Sequence, residues 1–500
     1  MKRILFLFIS TLSILNIYAQ SKKVLRQEIA RLRSDSLMQE QVIANQNHRI
    51  EQLLNKGRNL WTELTQLRQD SVLMALRIEE LETEIEDIET ELKTSTQKLR
   101  ELISVMTWRQ IGSDIDGEEA FEGSGYSVSL SGDGNTVAIV ALSGSVSIYQ
   151  NVNGRWRKIG SDIDPGESAG EPTGEGGYNF KISASLNNDG STVAIGAQYY
   201  DGNGKNAGHV RIYQNVNGSW IQIGSDIDGE AEGDFSGSSV SLSSDGSIVA
   251  IGAPLNDGNG QSAGHVRIYQ NVNGSWIQIG SDIDGEAAFE GSGYSVSLSS
   301  DGNTVAIGAN INIGNYPPKY KGFVRIYQNV NGGWTQIGSD IVGSVSGEGS
   351  GYSVSLSSDG RTVAVGNRKN FYKLKGSGVV RIYRNVNGSW TKIGSDINGE
   401  REMDYSGCSV SLSSDGSIVA IGAMRNDGNG EDAGSVRIYQ NFNGSWIQIG
   451  SDIDGEAARD YFGWSVSLSS DGSTVAIGAR ENDGNGERAG HVRVFKLKCD

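Results

Sequence analysis

The sequence predicts an all-β propeller of seven four-stranded blades, preceded by a long α-helical coiled coil. Three observations predict this architecture. A heptad pattern of apolar residues runs unbroken over residues 25–106, a marker motif then recurs seven times, and the two ends of the repeat region hold complementary parts of one blade. We therefore expect a signal peptide at residues 1–19, a coiled-coil stalk at 20–107 and the propeller at 108–500.

The composition limits the classes of partner. The chain has 68 glycines and five prolines among 500 residues, which indicates many tight turns rather than a collagen-like chain. The formal net charge is −17, and the excess lies in residues 108–500, where 28 Lys and Arg face 45 Asp and Glu. Nucleic acids and anionic membranes would be repelled, so we expect neither as a partner.

Residues 1–19 have the pattern of a secretory signal, since Lys2 and Arg3 precede an apolar run that ends at the small residue Ala19. Cleavage there would export the chain to the periplasm, the cell surface or the medium. The alternative is that the segment is kept as a membrane anchor. No later apolar stretch approaches the roughly 18 residues of a membrane span. The two cysteines, Cys408 and Cys499, do not amount to a disulfide framework.

In residues 25–106 the apolar spacing alternates between four and three residues, which is the seam of a left-handed coiled coil. A lone helix would expose this apolar stripe to water, so we expect the stalk to associate with copies of itself. β-branched residues at the a positions and Leu at the d positions favour a parallel dimer. The polar layers at Gln39 and Gln46 leave a trimer open, and Gly57 leaves open an antiparallel hairpin.

The motif Trp-x-x-Ile-Gly-Ser-Asp-Ile recurs at intervals of 48 to 64 residues, a spacing that suits blades of four short strands. One unit shows strands at 239–243, 248–253, 265–270 and 276–280, joined in part by Asp-Gly and Asn-Gly turns that suit tight hairpins. We expect the serine-rich first strand at the crowded axis and the Trp strand at the outer edge. The motif begins at Trp108, Trp156, Trp220, Trp276, Trp334, Trp390 and Trp446.

The ends of the repeat region predict how the ring closes. The region begins with an outermost strand at 108–115 and ends after a third strand at 491–495. If these two strands pair, the ring has seven complete blades and no exposed sheet edge.

Short motifs add a family resemblance. Phe-Gly precedes a first strand at Phe462, Gly-Ala comes at the second strand at Gly252 and Gly478, and Gly-x-Val follows at Gly264 and Gly490. With these pieces, residues 108–498 resemble the FG-GAP repeats of integrin α-subunit heads and of many exported bacterial proteins, which implies a propeller fold. Members of that family usually carry an Asp-rich calcium loop between the first and second strands. Here that connection is only Ser-Ser-Asp-Gly, so the resemblance does not support calcium there.

Strand polarity places the loops between strands two and three, and those from one blade to the next, on one face, which we name the upper face. The first loop type contains Asp-Gly-Asn-Gly and the second Asp-x-Asp-x-Glu, spacings that suit a calcium loop. The alternative is that Asp, Asn and Gly are only favoured turn residues, because each loop alone lacks the six to eight oxygens that calcium needs. The candidate calcium ligands are Asp201, Asp257, Asp427, Asp483, Asp228, Asp284 and Asp454.

The loops between strands two and three also vary most between blades, whereas the turns of the opposite face scarcely change. A diversified rim on a constant scaffold is usually the binding side, and neutral drift of the loops is the alternative. The candidate ligand-binding residues are Tyr316, Tyr320, Arg368, Phe371 and Tyr372.

The sequence contains no phosphate-binding glycine loop, nucleophile elbow or metalloprotease helix, so we expect no enzymatic activity. His209, His265 and His491 share one repeat position that other blades fill differently, which predicts a structural role. The repeated strand-three arginines are expected to pair with the acidic loops or to cover apolar surface. We therefore expect an exported recognition or adhesion head, displayed on an oligomeric rod, that binds an unknown protein or glycan. The alternative is a periplasmic or outer-envelope scaffold with a permanent protein partner.

Overall fold

The computed structural model describes residues 106–166, 182–310, 321–345, 348–368 and 376–499. Five single positions upstream, Asn59, Glu84, Glu86, Asp87 and Thr90, are also described and have helical backbone. The signal peptide predicted at 1–19, and all but these few positions of the predicted coiled coil, lie outside the described residues and stay predictions. No helical segment of the described residues combines the length and hydropathy of a membrane span.

The described chain from Met106 onward forms seven sheets, each with four principal strands. It opens with β1 (Met106–Gln110) and β2 (Ile115–Asp116). Blade 1 then comprises β3 (Ser127–Leu130), β4 (Thr136–Val140), β5 (Val146–Val152) and β6 (Arg155–Lys158). Blade 2 comprises β7 (Ile182–Leu186), β8 (Thr192–Ala197), β9 (His209–Val216), β10 (Ser219–Gln222) and the short β11 (Ile227–Asp228). Blade 3 comprises β12 (Ser239–Leu242), β13 (Ile248–Ala253), β14 (His265–Val272), β15 (Ser275–Gln278) and β16 (Ile283–Asp284).

The remaining blades repeat this order. Blade 4 comprises β17 (Ser292–Leu298), β18 (Thr304–Ala309), β19 (Phe323–Val330), β20 (Gly333–Gln336) and β21 (Ile341–Val342). Blade 5 comprises β22 (Ser350–Leu356), β23 (Thr362–Asn367), β24 (Val379–Val386), β25 (Ser389–Lys392) and β26 (Ile397–Asn398). Blade 6 comprises β27 (Ser406–Leu412), β28 (Ile418–Ala423), β29 (Ser435–Phe442), β30 (Ser445–Gln448) and β31 (Ile453–Asp454). Blade 7 comprises β32 (Ser465–Leu468), β33 (Thr474–Ala479) and β34 (His491–Cys499), completed by β1 and β2.

The N-terminal strand closes the ring, as predicted. In blade 7 the strand order is β32, β33, β34 and β1, and β2 pairs with β34 through Ile115 and Val492. The Ile111 N–H also donates to the Val494 carbonyl at 2.7 Å. The strand begins at Met106, slightly earlier than predicted, so this residue belongs to β1 and not to the last heptad position of the stalk. The side chain of Met106 is buried at the start of this strand.

The first strands surround the axis, and their serines connect one blade to the next. At every junction a serine hydroxyl of one first strand accepts a hydrogen bond from a leucine N–H of its neighbour, as between Ser185 and Leu242 at 3.0 Å. The turns beneath them form a closed ring of backbone hydrogen bonds of 2.7–3.1 Å. This ring passes through Gly132, Asn188, Ser244, Ser300, Ser358, Ser414 and Ser470, whose N–H returns to Gly132. Seven blades therefore close on each other at the axis as well as at the outer strand.

The core lies between consecutive blades. At the junction of blades 3 and 4, Val266 and Ile268 pack with Val305 and Ile307 under the half-buried ring of Trp334. The Trp334 indole N–H donates to the Ile279 carbonyl of the preceding blade at 2.8 Å. The Trp strand is outermost as predicted, and its ring joins two blades through this hydrogen bond.

Six blades contain a short strand that the sequence analysis did not predict. The last Ile of each marker pairs with the start of the third strand, as Ile227 does with Val210, and its side chain is buried. In blade 1 the corresponding contact is an isolated bridge between Val146 and Ile163. Two residues are too few to show the alternation by which strands are recognised in a sequence.

Two glycines meet at six of the blade junctions. The glycine of each second strand lies against the glycine before the first strand of the next blade, as Gly422 does against Gly463. A Cβ on the second-strand glycine would lie only 2.0–2.3 Å from the carbonyl oxygen of its partner. The glycines of the Gly-Ala and Phe-Gly motifs therefore contact each other, backbone to backbone, between neighbouring blades.

Candidate functional site

The two kinds of acidic loop lie side by side on the upper face. The Asn259 side-chain amide of an Asp-Gly-Asn-Gly loop donates to the Gly285 carbonyl of the following blade-to-blade loop at 2.7 Å. Three other blades repeat this contact, in the pairs Asn203–Gly229, Asn429–Gly455 and Asn485–Gly117. Strand polarity alone therefore predicted correctly which loops meet.

In the Asp-Gly-Asn-Gly loops, the aspartate side chain accepts a hydrogen bond from the backbone of its own turn. Asp257 Oδ1 accepts the Ser262 N–H at 2.6 Å. Three more of the predicted calcium ligands make the equivalent bond, in the pairs Asp201–Asn206, Asp427–Asp432 and Asp483–Arg488. These bonds are what the turn alternative expects of the four aspartates.

The three acidic positions of the blade-to-blade loop have different surroundings. The first, Asp226, accepts hydrogen bonds from Arg211 of its own blade at 2.7 and 2.9 Å. The third, Glu230, lies 3.6 Å from Arg267 of the next blade. The predicted pairing of repeated arginines with acidic loops is therefore present at this junction. The carboxylate of the middle position, Asp228, lies beside Gly202 of the neighbouring loop.

The middle aspartates carry charge that nearby groups do not fully balance. Burial, and then the charge of Asp282, raises the pKa of Asp284 above its usual value. Asp454 and Asp116 show the same upward direction of pKa, with burial as the first cause and a neighbouring aspartate as the second. A cation beside these carboxylates would relieve the repulsion.

Three groups of described residues have donor atoms close enough together to hold a metal ion, and each contains a histidine. They are Asp114, Asp116 and His491; His209, Asp226 and Asp228; and Glu230, His265 and Asp282. Asp228 is the one predicted calcium ligand among them. Burial first, and then a neighbouring arginine, lowers the pKa of His265 and of His491 to about 4, so both rings are neutral at pH 7. Calcium binding by the acidic loops stays a prediction.

We expect calcium to raise the unfolding temperature of the full-length protein, because a bound cation would link neighbouring blades and stabilise the folded state by mass action. The measurement is thermal unfolding in chelator, magnesium and calcium at fixed ionic strength. Asp284→Asn should reduce the shift, whereas Asp245→Asn in a turn of the opposite face should leave it unchanged. Identical curves in chelator and calcium would show that the acidic motifs are only turns.

Of the five predicted ligand-binding residues, Arg368 is described, and Tyr316, Tyr320, Phe371 and Tyr372 lie outside the described residues. Arg368 follows β23 directly. Its Nη1 donates to the Tyr352 hydroxyl at 2.7 Å, and its Cζ lies 4.9 Å from the ring centre of Tyr352 and 4.8 Å from that of Tyr405. The structure therefore places Arg368 among aromatic rings at the first strands.

Tyr352 belongs to a repeat position that the sequence prediction did not include. The residue before the Ser-x-Ser-Leu motif lies towards the upper end of each inner strand, where the seven inner strands surround the axis. The position is filled in blade order by Tyr126, Ile182, Ser238, Tyr294, Tyr352, Cys408 and Trp464. Ring centres lie 5.7 Å apart between Tyr126 and Trp464, and 5.4 Å apart between Tyr294 and Tyr352.

Two further arginines complete this group. Arg480 Cζ lies 3.5 Å from the ring centre of Trp464 and 5.8 Å from that of Tyr126. Arg425 Cζ lies 5.2 Å from the ring centre of Tyr405 and 5.8 Å from that of Tyr461. We name the group the mouth cluster, and it consists of Tyr126, Tyr294, Tyr352, Arg368, Tyr405, Arg425, Tyr461, Trp464 and Arg480. Arginines on aromatic faces at the end of a ring of strands form a site with both cationic and apolar surface.

Two tyrosines of the mouth cluster have unfavourable backbone conformations. Tyr405 and Tyr461 have φ of 55° and 53°, a region that costs a non-glycine residue about 1–3 kcal/mol. Blades 1, 4 and 5 place Gly123, Gly291 and Gly349 at the same repeat position. Phe235 of blade 3 has φ of 56° at the same position, so three aromatic residues share this conformation.

A signal for the mouth cluster was present in the sequence. The strands that follow the variable position keep the pattern Ser-x-Ser-Leu, while the position itself changes from Tyr to Ile, Ser, Cys and Trp. This variation lies inside a strand, so a comparison of loop lengths and loop compositions does not find it.

The comparison with known families agrees with this architecture. The sequence model of the FG-GAP repeat family matches residues 398–439 and 453–495, which include Tyr405, Arg425, Trp464 and Arg480. A search of curated proteins found no match. The resemblance inferred from the short motifs is thus confirmed, and the protein contains a seven-bladed β-propeller with FG-GAP repeats.

Proposed function

We propose that the protein is an exported, non-enzymatic recognition or adhesion protein that binds its ligand at the mouth cluster of the propeller. The observation that carries the proposal is the cluster itself, in which three arginines lie on aromatic faces supplied by different blades. Aromatic and arginine side chains supply most of the energy in binding sites, because they combine a large contact area with directed polar groups.

The ionisation of the cluster also favours binding over proton transfer. Burial is the first cause that raises the pKa of Tyr126 and of Tyr294 above the usual range. These hydroxyls therefore remain protonated at neutral pH and are suited to hydrogen bonding. An adhesive role would use the predicted stalk, because two or three heads on one rod turn weak single contacts into avid binding.

Binding should be tested with the full-length protein, without its predicted signal, on immobilised neutral glycans, acidic glycans and peptides. We expect Trp464→Ala to reduce binding strongly, since it removes the ring under Arg480. Phe121→Ala is the matched control, because this aromatic side chain is 48 % exposed and belongs to no mouth contact described above. Equal binding by the two folded variants would exclude the mouth cluster as the site.

The predicted stalk has its own test. We expect the chain that begins at residue 20 to sediment as a dimer or trimer at micromolar concentration, because its heptad seam must be covered. Leu53→Asp with Leu60→Asp introduces charge at two d positions and should give monomers. Asn55→Asp with Thr62→Asp places the same charges on the outer side of the predicted helix and should not. A monomeric wild-type chain would contradict the coiled coil.

A further inference from the structure

We propose that the mouth cluster recognises the carboxylate of an acidic sugar, held by the guanidinium groups of Arg480 and Arg368 against the rings of Trp464 and Tyr352. This inference rests on the proposed function and names the chemical class of its ligand.

The positive charge of Arg480 is only partly balanced by nearby carboxylates. Its nearest carboxylate is Glu481, at 3.2 Å, and Glu481 also binds Arg488 at 2.9 Å. The Nε of Arg480 is buried and has no hydrogen-bond partner among the described residues. Burial is the largest cause that lowers the pKa of Arg480. The nearby carboxylates therefore balance its positive charge only in part. The Arg480 side chain is 20 % exposed, so an incoming anion could balance its charge at the exposed part of the guanidinium group.

Two of the repeated arginines of the third strands, Arg325 and Arg381, have more carboxylate partners than Arg480. Arg325 is surrounded by Glu286, Glu290 and Asp340 at 2.9–3.1 Å. Arg381 contacts Glu348 at 2.7 Å and Asp396 at 2.9 Å. Their guanidinium groups are used to join neighbouring loops. Arg325 also lies over an aromatic ring, with its Cζ 4.2 Å from the ring centre of Phe323. Arg480 differs in its ion pairs, because Glu481, at 3.2 Å, is shared with Arg488.

The geometry favours a carboxylate on a sugar ring. A guanidinium group presents parallel N–H donors that match the two oxygens of a carboxylate. The flat rings of Trp464, Tyr126 and Tyr352 suit the C–H face of a sugar, and tyrosine hydroxyls suit its hydroxyl groups. A single carboxylate is preferred to a polyanion, because the surrounding acidic loops of a chain with net charge −17 would repel repeated negative charges.

The strained tyrosines fit this role because they position the cations. Arg368 and Arg425 lie over the Tyr405 ring, at 4.8 and 5.2 Å, and that ring is only 1 % exposed. A guanidinium held in place before the ligand arrives loses less conformational freedom on binding.

The test uses the full-length protein and isothermal titration with a disaccharide that contains one galacturonic acid, its methyl ester and a short peptide with a free terminal carboxylate. We expect the acid to bind about tenfold or more tightly than the ester, which keeps the sugar rings and removes the charge. Arg480→Met should remove this preference, because Met retains apolar contact with Trp464 and loses the donors. Arg157→Met is the control and should keep it, since Arg157 is exposed on β6, the outermost strand of blade 1.

Equal affinity for acid and ester would overturn the carboxylate inference and leave the proposed binding site standing. Binding of the peptide alone would overturn the sugar assignment. Absence of binding to this acid and to every acidic glycan of the immobilised panel would overturn the inference. If Trp464→Ala also leaves all other binding unchanged, the proposed site fails with it.

Discussion

Deleting residues 108–115 from the full-length protein should remove most of the stability of the propeller and reduce its soluble yield. These residues form most of β1 and the start of β2, which together cover the outer side of β34. The deletion also removes the Ile111 carbonyl that accepts the Trp156 indole N–H at 2.8 Å, and the buried side chain of Ile115. Loss of that side chain alone costs about 2–5 kcal/mol, against a total of about 5–15 kcal/mol for an ordinary domain.

The deletion also creates an open sheet edge, which promotes association between molecules. Thermal unfolding and size-exclusion chromatography would measure the two effects. Arg109→Ala with Gln110→Ala is the matched control, because both side chains are exposed and the backbone pairing is retained. An unchanged melting temperature after the deletion would show that the terminal strand does not close the ring.

Gly422→Ala should be among the most destabilising single substitutions in the propeller. The added Cβ would lie 2.0 Å from the Gly463 carbonyl oxygen and 2.3 Å from Ser409 Oγ. Because the first of these atoms is backbone, blades 6 and 7 would have to separate. We expect a loss of about 3 kcal/mol or more in the free energy of unfolding, at the upper end of the cost of overpacking.

Gly274→Ala separates this steric cost from the ordinary cost of replacing a turn glycine. Gly274 has φ of +86°, and a Cβ there would meet no atom within 4 Å. Its replacement should cost only about 1–2 kcal/mol, the penalty of a left-handed conformation. Denaturant unfolding of both variants gives the comparison. If Gly422→Ala costs no more than Gly274→Ala, the glycines at the blade junctions are not needed for close packing.

Much of the propeller could be predicted because short motifs within each repeat specify its strands and turns. The Trp marker counts the blades, the alternation of Val and Leu with Ser identifies inner strands, and Asn-Gly and Asp-Gly turns define the hairpins. Asn273 and Gly274 do adopt the positive φ values that such a turn requires. The ring closure could be predicted in the same way. The repeat region begins with an outermost strand that has no blade of its own, and it ends with a blade that lacks its outermost strand.

The mouth cluster could not be derived in this way, because its members become neighbours only when the ring closes. Tyr126 and Trp464 come from blades 1 and 7, at the two ends of the repeat region, and their rings lie 5.7 Å apart. A bulge between Ser292 and Ser295 shifts the strand register beside Tyr294, and blades 5 and 6 have the same irregularity. Such a shift changes which side chains face the axis and leaves the hydrophobic pattern intact.

The sequence by itself determined the number of blades, their strand order and the closing strand, because short-range periodicity and turn residues specify each repeat. It also showed that acidic loops share one face. Only the tertiary structure decided that Asp257 and its equivalents bond within their own turns, and that Arg368 and Arg480 converge on aromatic rings. The physical reason is that these contacts depend on how separate blades pack around a common axis, a relation that no local pattern of residues contains.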